Sequence, residues 1–305
     1  MRANADEATD EHKTRKRDAY WADLVGGGTA SYKLALLESL LDEHPVPHGG
    51  VVLDVGCGTS AASDLVRNLV GARSAVRCDY DTALVAREAA ACTDPTIEFR
   101  VADIFELAGW TDQFSLVLFL DMLHEVYSFV GRGSDIGAEI DHATGFDAVR
   151  RAVTSVSRLV VPGGGIVITD NVVCEPDVRT RIHINDGALP SVRRFLEEYP
   201  SRRMAVEWLS DSDLEIGARD LCILLTQYNK IKRCDEARWA VEQLEIHQYM
   251  TEAEYRSMFE GLGFDLHARI GTPQDVREEW DEDFRLLSGL TELPAKRITL
   301  VAIRR

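Results

Sequence analysis

Three aspartates and two glycines carry the clearest chemistry in this chain. Gly56 and Gly58 lie in the run Leu53 to Ser60, LDVGCGTS, where they let the backbone turn tightly and approach a ligand closely. A helix starting just behind them would offer free N–H groups. Asp54 precedes the pair, at a position where a nicotinamide fingerprint usually carries no acid. Asp79 and Asp103 end the next two strand-like runs. There the first carboxylate suits the two hydroxyls of a ribose, and the second suits an adenine amino group. Acids at three successive strand ends would line the crevice outside the carboxyl edge of a parallel sheet. The plainer alternative is turn glycines with helix-capping aspartates, and nicotinamide or flavin sites use similar turns.

Strands and helices must alternate to put these residues there. VVLDV (51–55) reads as a first strand, followed by a helix through Val70. SAVRCDY (74–80) and IEFRVAD (97–103) are the second and third strands, with an alanine-rich helix at 82–92 between them. FSLVLFL (114–120) is almost continuously apolar, as in a central strand buried on both faces. An amphipathic helix at 146–160 is expected to stop at Pro162 and Gly163 to Gly165, before a fifth strand at 166–173. From about 174 to 249 the chain reads as helical, notably at 191–199 and 213–230, with no convincing strand. Thr251 and Glu254 then form a capping box opening a helix over 251–264, and 264–271 and 296–304 are the final strands. The expected division is an N-terminal tail with lid helices (1–49), a core (50–173), a helical cap insertion (174–249) and a closing part of the core (250–305).

LDVGCGTS, CDYD, VADIF and the pair FLDMLHEV and PGGGIVITD resemble the ordered motifs of class I S-adenosylmethionine-dependent methyltransferases. The resemblance covers about 50–173 and 250–305. It implies an α/β fold: a Rossmann-like, seven-stranded, mostly parallel sheet with helices on both faces, an antiparallel last strand and a helical insertion after strand five. It also implies an enzyme whose cofactor is S-adenosyl-L-methionine. Gly56 and Gly58 would lie under the methionine moiety, Asp79 would bind ribose, and Asp103 with Ile104 would frame adenine. Asp54, Tyr80, Leu120 and Tyr20 complete the expected cofactor contacts. VITDNVVCEP, FLEEYP and HQYMTEAEYRSMF are also similar to a loosely described subgroup, which adds nothing on activity.

In that frame, Leu120 to Tyr127 leaves the sheet where the methyl group would lie. Methyl transfer is an in-line displacement at a sulfonium, so the protein mainly positions the acceptor. A hydroxyl or ammonium acceptor must also lose a proton, which suits a histidine. His124 is the expected base, with Glu125 or Asp121 orienting it; the alternative is a histidine that packs or bonds to the cofactor. Asp121, Asp170 and Asn171 resemble the magnesium-binding residues of catechol-type O-methyltransferases. The greater length, the insertion and the sequence after FLD depart from that family, and no metal is expected. Tyr20, Trp21 and Tyr32 beside Gly26 to Gly28 suggest an aromatic lid, or a helix packed on the sheet edge. The insertion, with His183, Asn185, Tyr228, Asn229 and His247, is expected to roof the acceptor pocket or to form a homodimer surface.

Bulk properties narrow the acceptor. A net charge of −17 disfavours nucleic acid and anionic membrane, and the one basic cluster, Lys13 to Arg17, follows acids. An NPPY-type tetrapeptide and paired nucleophilic cysteines are absent, which also points to small molecules. No run approaches the roughly 18 apolar residues of a membrane span. The charged N-terminus is no secretory signal, and the six cysteines form no CxxC pair, so cytoplasmic, reduced thiols are expected. The expected reaction is methyl transfer to a hydroxyl or amine of a small molecule in specialised metabolism. The alternatives are internal displacement releasing methylthioadenosine and a metal-assisted catechol-type transfer.

Overall fold

The computed structural model describes residues 28–58, 61–135, 137–233 and 236–305. Tyr20, Trp21, Gly26, Gly27 and Cys234 lie outside the described residues. Helix α1 (Gly28–Glu43) precedes an alternation of β1 (Val51–Val55), α2 (Ala61–Leu69), β2 (Ser74–Asp79), α3 (Thr82–Ala91), β3 (Ile97–Val101) and β4 (Phe114–Leu120). Then come α4 (Leu123–Arg132), α5 (His142–Ser157) and β5 (Val160–Asn171). The insertion contains β6 (Arg179–Ile184), α6 (Leu189–Glu198), β7 (Val206–Trp208), β8 (Asp213–Gly217), α7 (Ala218–Arg233) and α8 (Glu236–Glu242). The chain closes with α9 (Glu252–Gly261), β9 (Phe264–Gly271), α10 (Gln274–Asp283), β10 (Phe284–Ser288) and β11 (Arg297–Arg304).

The main sheet has seven strands in the order β3-β2-β1-β4-β5-β11-β9. β11 runs antiparallel to both β5 and β9, while the pairings from β3 through β5 are parallel. Side chains alternate between faces along each strand. On one face, Val52, Leu116, Leu118 and Val167 pack on Leu37, Leu40 and Leu41 of α1. On the other, Leu53, Val117, Phe119 and Ile166 pack with Leu123 of α4 and Val149, Val153 and Val156 of α5. Burying each such side chain is worth about 1.5–3 kcal/mol, so a sheet covered on both faces is well held. Tyr32 belongs to α1, which lies along β11 and β9, so this aromatic rides on the sheet-edge helix.

Two expectations are corrected. The insertion is not purely helical: β6, β7 and β8 form an antiparallel sheet with β10, in the order β10-β6-β8-β7. In β6, Thr180, Ile182 and Ile184 point inward while Arg179 and Arg181 face out and pair with Glu215 of β8. Those outward charges break up the apolar run and hide the strand. The stretch expected as one helix over 213–230 is strand β8 followed by α7.

The second correction concerns the glycines at 163–165. The helix before them ends at Ser157, and β5 runs through the glycines rather than starting after them. A Cβ on Gly164 would sit 2.8 Å from the Ser115 carbonyl oxygen, so the glycine is there for close strand approach.

Candidate active site

β1 delivers the chain to Gly56 (φ 66°) and Gly58 (φ 51°), left-handed conformations that favour glycine. The N–H groups of Gly56 and Cys57 both donate to the Cys78 carbonyl, at 2.9 and 3.1 Å, pinning the turn to the end of β2. Asp79, buried there, accepts from the Asp81 N–H at 3.0 Å and the Gly58 N–H at 3.4 Å. The glycine loop and this acid are therefore one unit. Asp54 lies buried behind them. Burial lifts its carboxyl to about 6, against the opposing pull of a Ser63 hydrogen bond and the Arg77 charge.

Further out, Asp103 is exposed and its Oδ1 accepts from the Phe105 N–H at 2.8 Å, with Ile104 half-buried beside it. Tyr80 is 42% exposed, and Val101, the register partner of Asp79, is 51% exposed.

The other half of the carboxyl edge is buried. Leu120 ends β4, half-buried, and Asp121 follows with φ 55°, uncommon for a residue other than glycine but tolerated by aspartate. The Asp121 carboxylate is clasped between Lys33 of α1 and Arg297, the first residue of β11. Arg297 also donates to Asn171 Oδ1 at 3.2 Å. Burial pushes the Asp121 carboxyl up, but Arg297 and Lys33 together hold it well below the usual carboxylate range. Burial and the Arg297 charge likewise bring the Lys33 ammonium below its ordinary value.

His124 occupies the first turn of α4 and is buried. Asp170, at the end of β5, accepts from its backbone N–H at 3.2 Å and meets its Nδ1 at 3.0 Å. A carboxylate only accepts, so Nδ1 carries the proton in this bond. Asp170 also accepts from the Tyr249 hydroxyl at 3.2 Å, which in turn accepts from Tyr255 at 2.7 Å. Burial raises both tyrosine hydroxyls well above their ordinary range. His124 Nε2 faces the insertion, 3.7 Å from Glu245 Oε2, and its ring stacks on His247 with centroids 4.3 Å apart. The end of the insertion is fixed across α4: the Ile246 N–H donates to Ser128 Oγ at 2.9 Å, and Tyr199 and Gln227 donate to the Glu245 carbonyl at 2.6 and 2.8 Å.

The two halves meet at Met122. A Cβ on Gly56 would sit 3.0 Å from Met122 Cε, so the turn leading into His124 lies against the glycine loop.

The carboxylate on the His124 ring is thus Asp170, neither Glu125 nor Asp121; Glu125 is half-buried on α4 and Asp121 belongs to the Lys33–Arg297 clasp. The same clasp bears on the set Asp121, Asp170 and Asn171. Arg297 and Lys33 bring cationic charge to the first, Arg297 reaches the third, and His124 takes the second. Tyr127 fills the core, its hydroxyl 3.0 Å from His142 Nδ1. Of the insertion residues, His247 reaches the site. His183 instead pairs with Asp213, and Tyr228 and Asn229 reach α10 at Asp283 and Glu279. Asn185 bonds the Glu282 carbonyl. Sequence reasoning missed Lys33, Arg297 and Glu245. Their partners lie far away in the chain, and no local spacing announces them.

A methyltransferase-domain family model matches residues 52–130, from β1 to within α4. The fold is similar to an S-adenosylmethionine-dependent methyltransferase from Mesorhizobium loti, at 17% identity and a TM-score of 0.50, over 92% of this chain and 100% of that one. It is also similar to a chain of the Haloferax volcanii complex between the Trm112 methyltransferase activator and a methyltransferase, at 14% identity and a TM-score of 0.49, over 98% and 96% of the two chains. The N-methyltransferase NodS from Bradyrhizobium japonicum WM9, solved with S-adenosyl-L-homocysteine, is 11% identical with a TM-score of 0.49, over 94% and 93%. The first of these is a likeness of fold alone. No curated protein matches the chain in sequence. No helix among the described residues is long and apolar enough to cross a membrane.

Proposed function

We propose that this chain works as a class I S-adenosylmethionine-dependent methyltransferase, in keeping with the methyltransferase-domain match over residues 52–130, and that it methylates a hydroxyl or amine of a small molecule held beside His124. One observation carries the proposal: the His124 turn lies against the glycine loop through Met122 and Gly56. A group held at His124 is thereby next to whatever the loop holds.

Bound S-adenosylmethionine supplies a sulfonium methyl group that an acceptor attacks in line. In our reading Gly56 and Gly58 admit the methionine moiety and Asp79, fixed at the end of β2 by its backbone bonds, accepts the ribose hydroxyls. Asp103 and Ile104 border the adenine on the platform of Tyr80. His124, its tautomer and orientation fixed by Asp170, is the residue on which acceptor activation turns. The insertion closes this end from water, which strengthens polar contacts inside. The charge of −17 supports a small acceptor over a polynucleotide. A role in specialised metabolism and a cytoplasmic setting belong to the same proposal.

Calorimetric titration with S-adenosylmethionine tests it, with NAD as control. Micromolar binding is expected, and Asp79→Ala should weaken it at least tenfold, about 1.4 kcal/mol. Turnover with hydroxyl- and amine-bearing acceptors should release S-adenosylhomocysteine. Release of methylthioadenosine would indicate internal displacement instead, and a preference for NAD would overturn the proposal.

A further inference from the structure

His124, Glu245 and His247 come from two different parts of the fold, the start of α4 and the end of the insertion, yet they converge. One potential ligand atom from each lies within 4.8 Å of the others, and all three residues are buried. His124 Nε2 and His247 Nε2 stand 3.7 and 3.6 Å from the same oxygen, Glu245 Oε2. Those gaps are too long for hydrogen bonds between these atoms. They are the right size for something else. Three atoms none of which is more than 4.8 Å from another can share one ion at close to the roughly 2.0–2.2 Å of zinc–nitrogen and zinc–carboxylate bonds.

The surroundings fit the same purpose. Asp170 holds His124 by Nδ1, the carboxylate–histidine arrangement that fixes a ligating ring, with Nε2 on the Glu245 side. Glu242, also buried, lies 3.9 Å from His247 Nε2. Three buried carboxylates, Asp170, Glu242 and Glu245, therefore surround two imidazoles, a negative setting that favours a cation. Lys230 already supplies some of it, its Nζ 2.5 Å from Glu242 and 3.1 Å from His247 Nε2. Its long side chain, 20% exposed, can withdraw toward solvent when a better cation enters.

We propose that His124, His247 and Glu245 bind a divalent transition-metal ion of the zinc type. Two imidazoles and one carboxylate are a borderline-soft set that leaves a fourth position open. The ion would also tie the insertion to the core. If the proposed transfer reaction is right, that open position takes the acceptor's heteroatom, and His124 acts through the ion. Metal binding itself does not depend on that reading.

The test uses the full chain, stripped with chelator and titrated with zinc in the absence of S-adenosylmethionine and acceptor. One equivalent with micromolar or tighter affinity is expected, and cobalt substitution should give the visible absorption of a low-coordinate nitrogen–oxygen site. His247→Gln, on the insertion, should weaken zinc at least hundredfold while leaving the circular dichroism spectrum and the S-adenosylmethionine titration unchanged. Lys230→Met removes the competing ammonium and should tighten zinc several-fold, a change no misfolded variant would produce. Absence of stoichiometric zinc binding, or binding that His247→Gln leaves intact, overturns the proposal. Neither outcome touches the S-adenosylmethionine titration, so the two readings fail separately.

Discussion

On the glycine-loop side of the sheet edge, the groups that matter all lie between residues 54 and 103, in order, each at the end of its own strand. On the His124 side they are gathered from between residues 33 and 297: Lys33, Asp121, His124, Asp170, Glu245, His247 and Arg297. The first side is half open, with Tyr80, Val101 and Asp103 in water; the second is buried and crowded with opposed charges. One is a local construction held by backbone turns. The other exists only once helix α1, three strands and the insertion have assembled. The difference separates a feature a short segment can encode from one that needs the whole chain.

The comparison is broken most directly at the clasp. Asp121→Ala leaves Lys33 and Arg297, 11% and 7% exposed, without their common carboxylate. Removing one partner from a buried ion pair costs about 3–5 kcal/mol. Urea denaturation should register that loss, and a value below 1 kcal/mol would mean the clasp is slack.

The glycine-loop side offers a sharper, pH-dependent contrast. Burial raises the folded carboxyl of Asp54 to about 6 from 3.8. Any stability tied to its protonated form is fully present below the unfolded value and lost as pH rises through the folded one. Two such units amount to about 3 kcal/mol. Asp54→Asn, which cannot ionise, should therefore be more stable than the parent by up to that amount near pH 8 and about equal to it near pH 4. Denaturant melts at the two pH values check this, and an offset independent of pH would rule out the carboxyl as its source.

The smallest effect is expected where the insertion returns to the core. Thr251 and Glu254 form a complete capping box at the start of α9, and Thr251 bridges to Val173. Thr251→Ala should cost about 1 kcal/mol in a thermal or urea melt.

The same local-versus-distributed division explains what could be read from sequence. β4 is found where its apolar run predicts, because a central parallel strand buried on both faces leaves an uninterrupted hydrophobic pattern. The Thr251 capping box was legible for a similar reason, since its two partners are three residues apart. Strand β6 was not: half of RTRIHI is arginine and histidine facing outward, and only the partner Glu215 makes sense of it. Strand β10 was missed because FRLLS has no meaning as a strand until the insertion supplies β6 beside it. At the site, Asp79 could be anticipated from its strand end, whereas the choice of Asp170 over Asp121 or Glu125 as the partner of His124 depends on where β5 stops relative to α4.

Strand β10 has one more consequence. The chain crosses between its two sheets four times: after β5, before α9, after β9 and before β11. The insertion is therefore stitched to the body on more than one side. It is not a cassette that can be cut out, since removing residues 174–249 would strand β10 with a raw, unpaired edge. Nor can it swing as a flap on a single hinge.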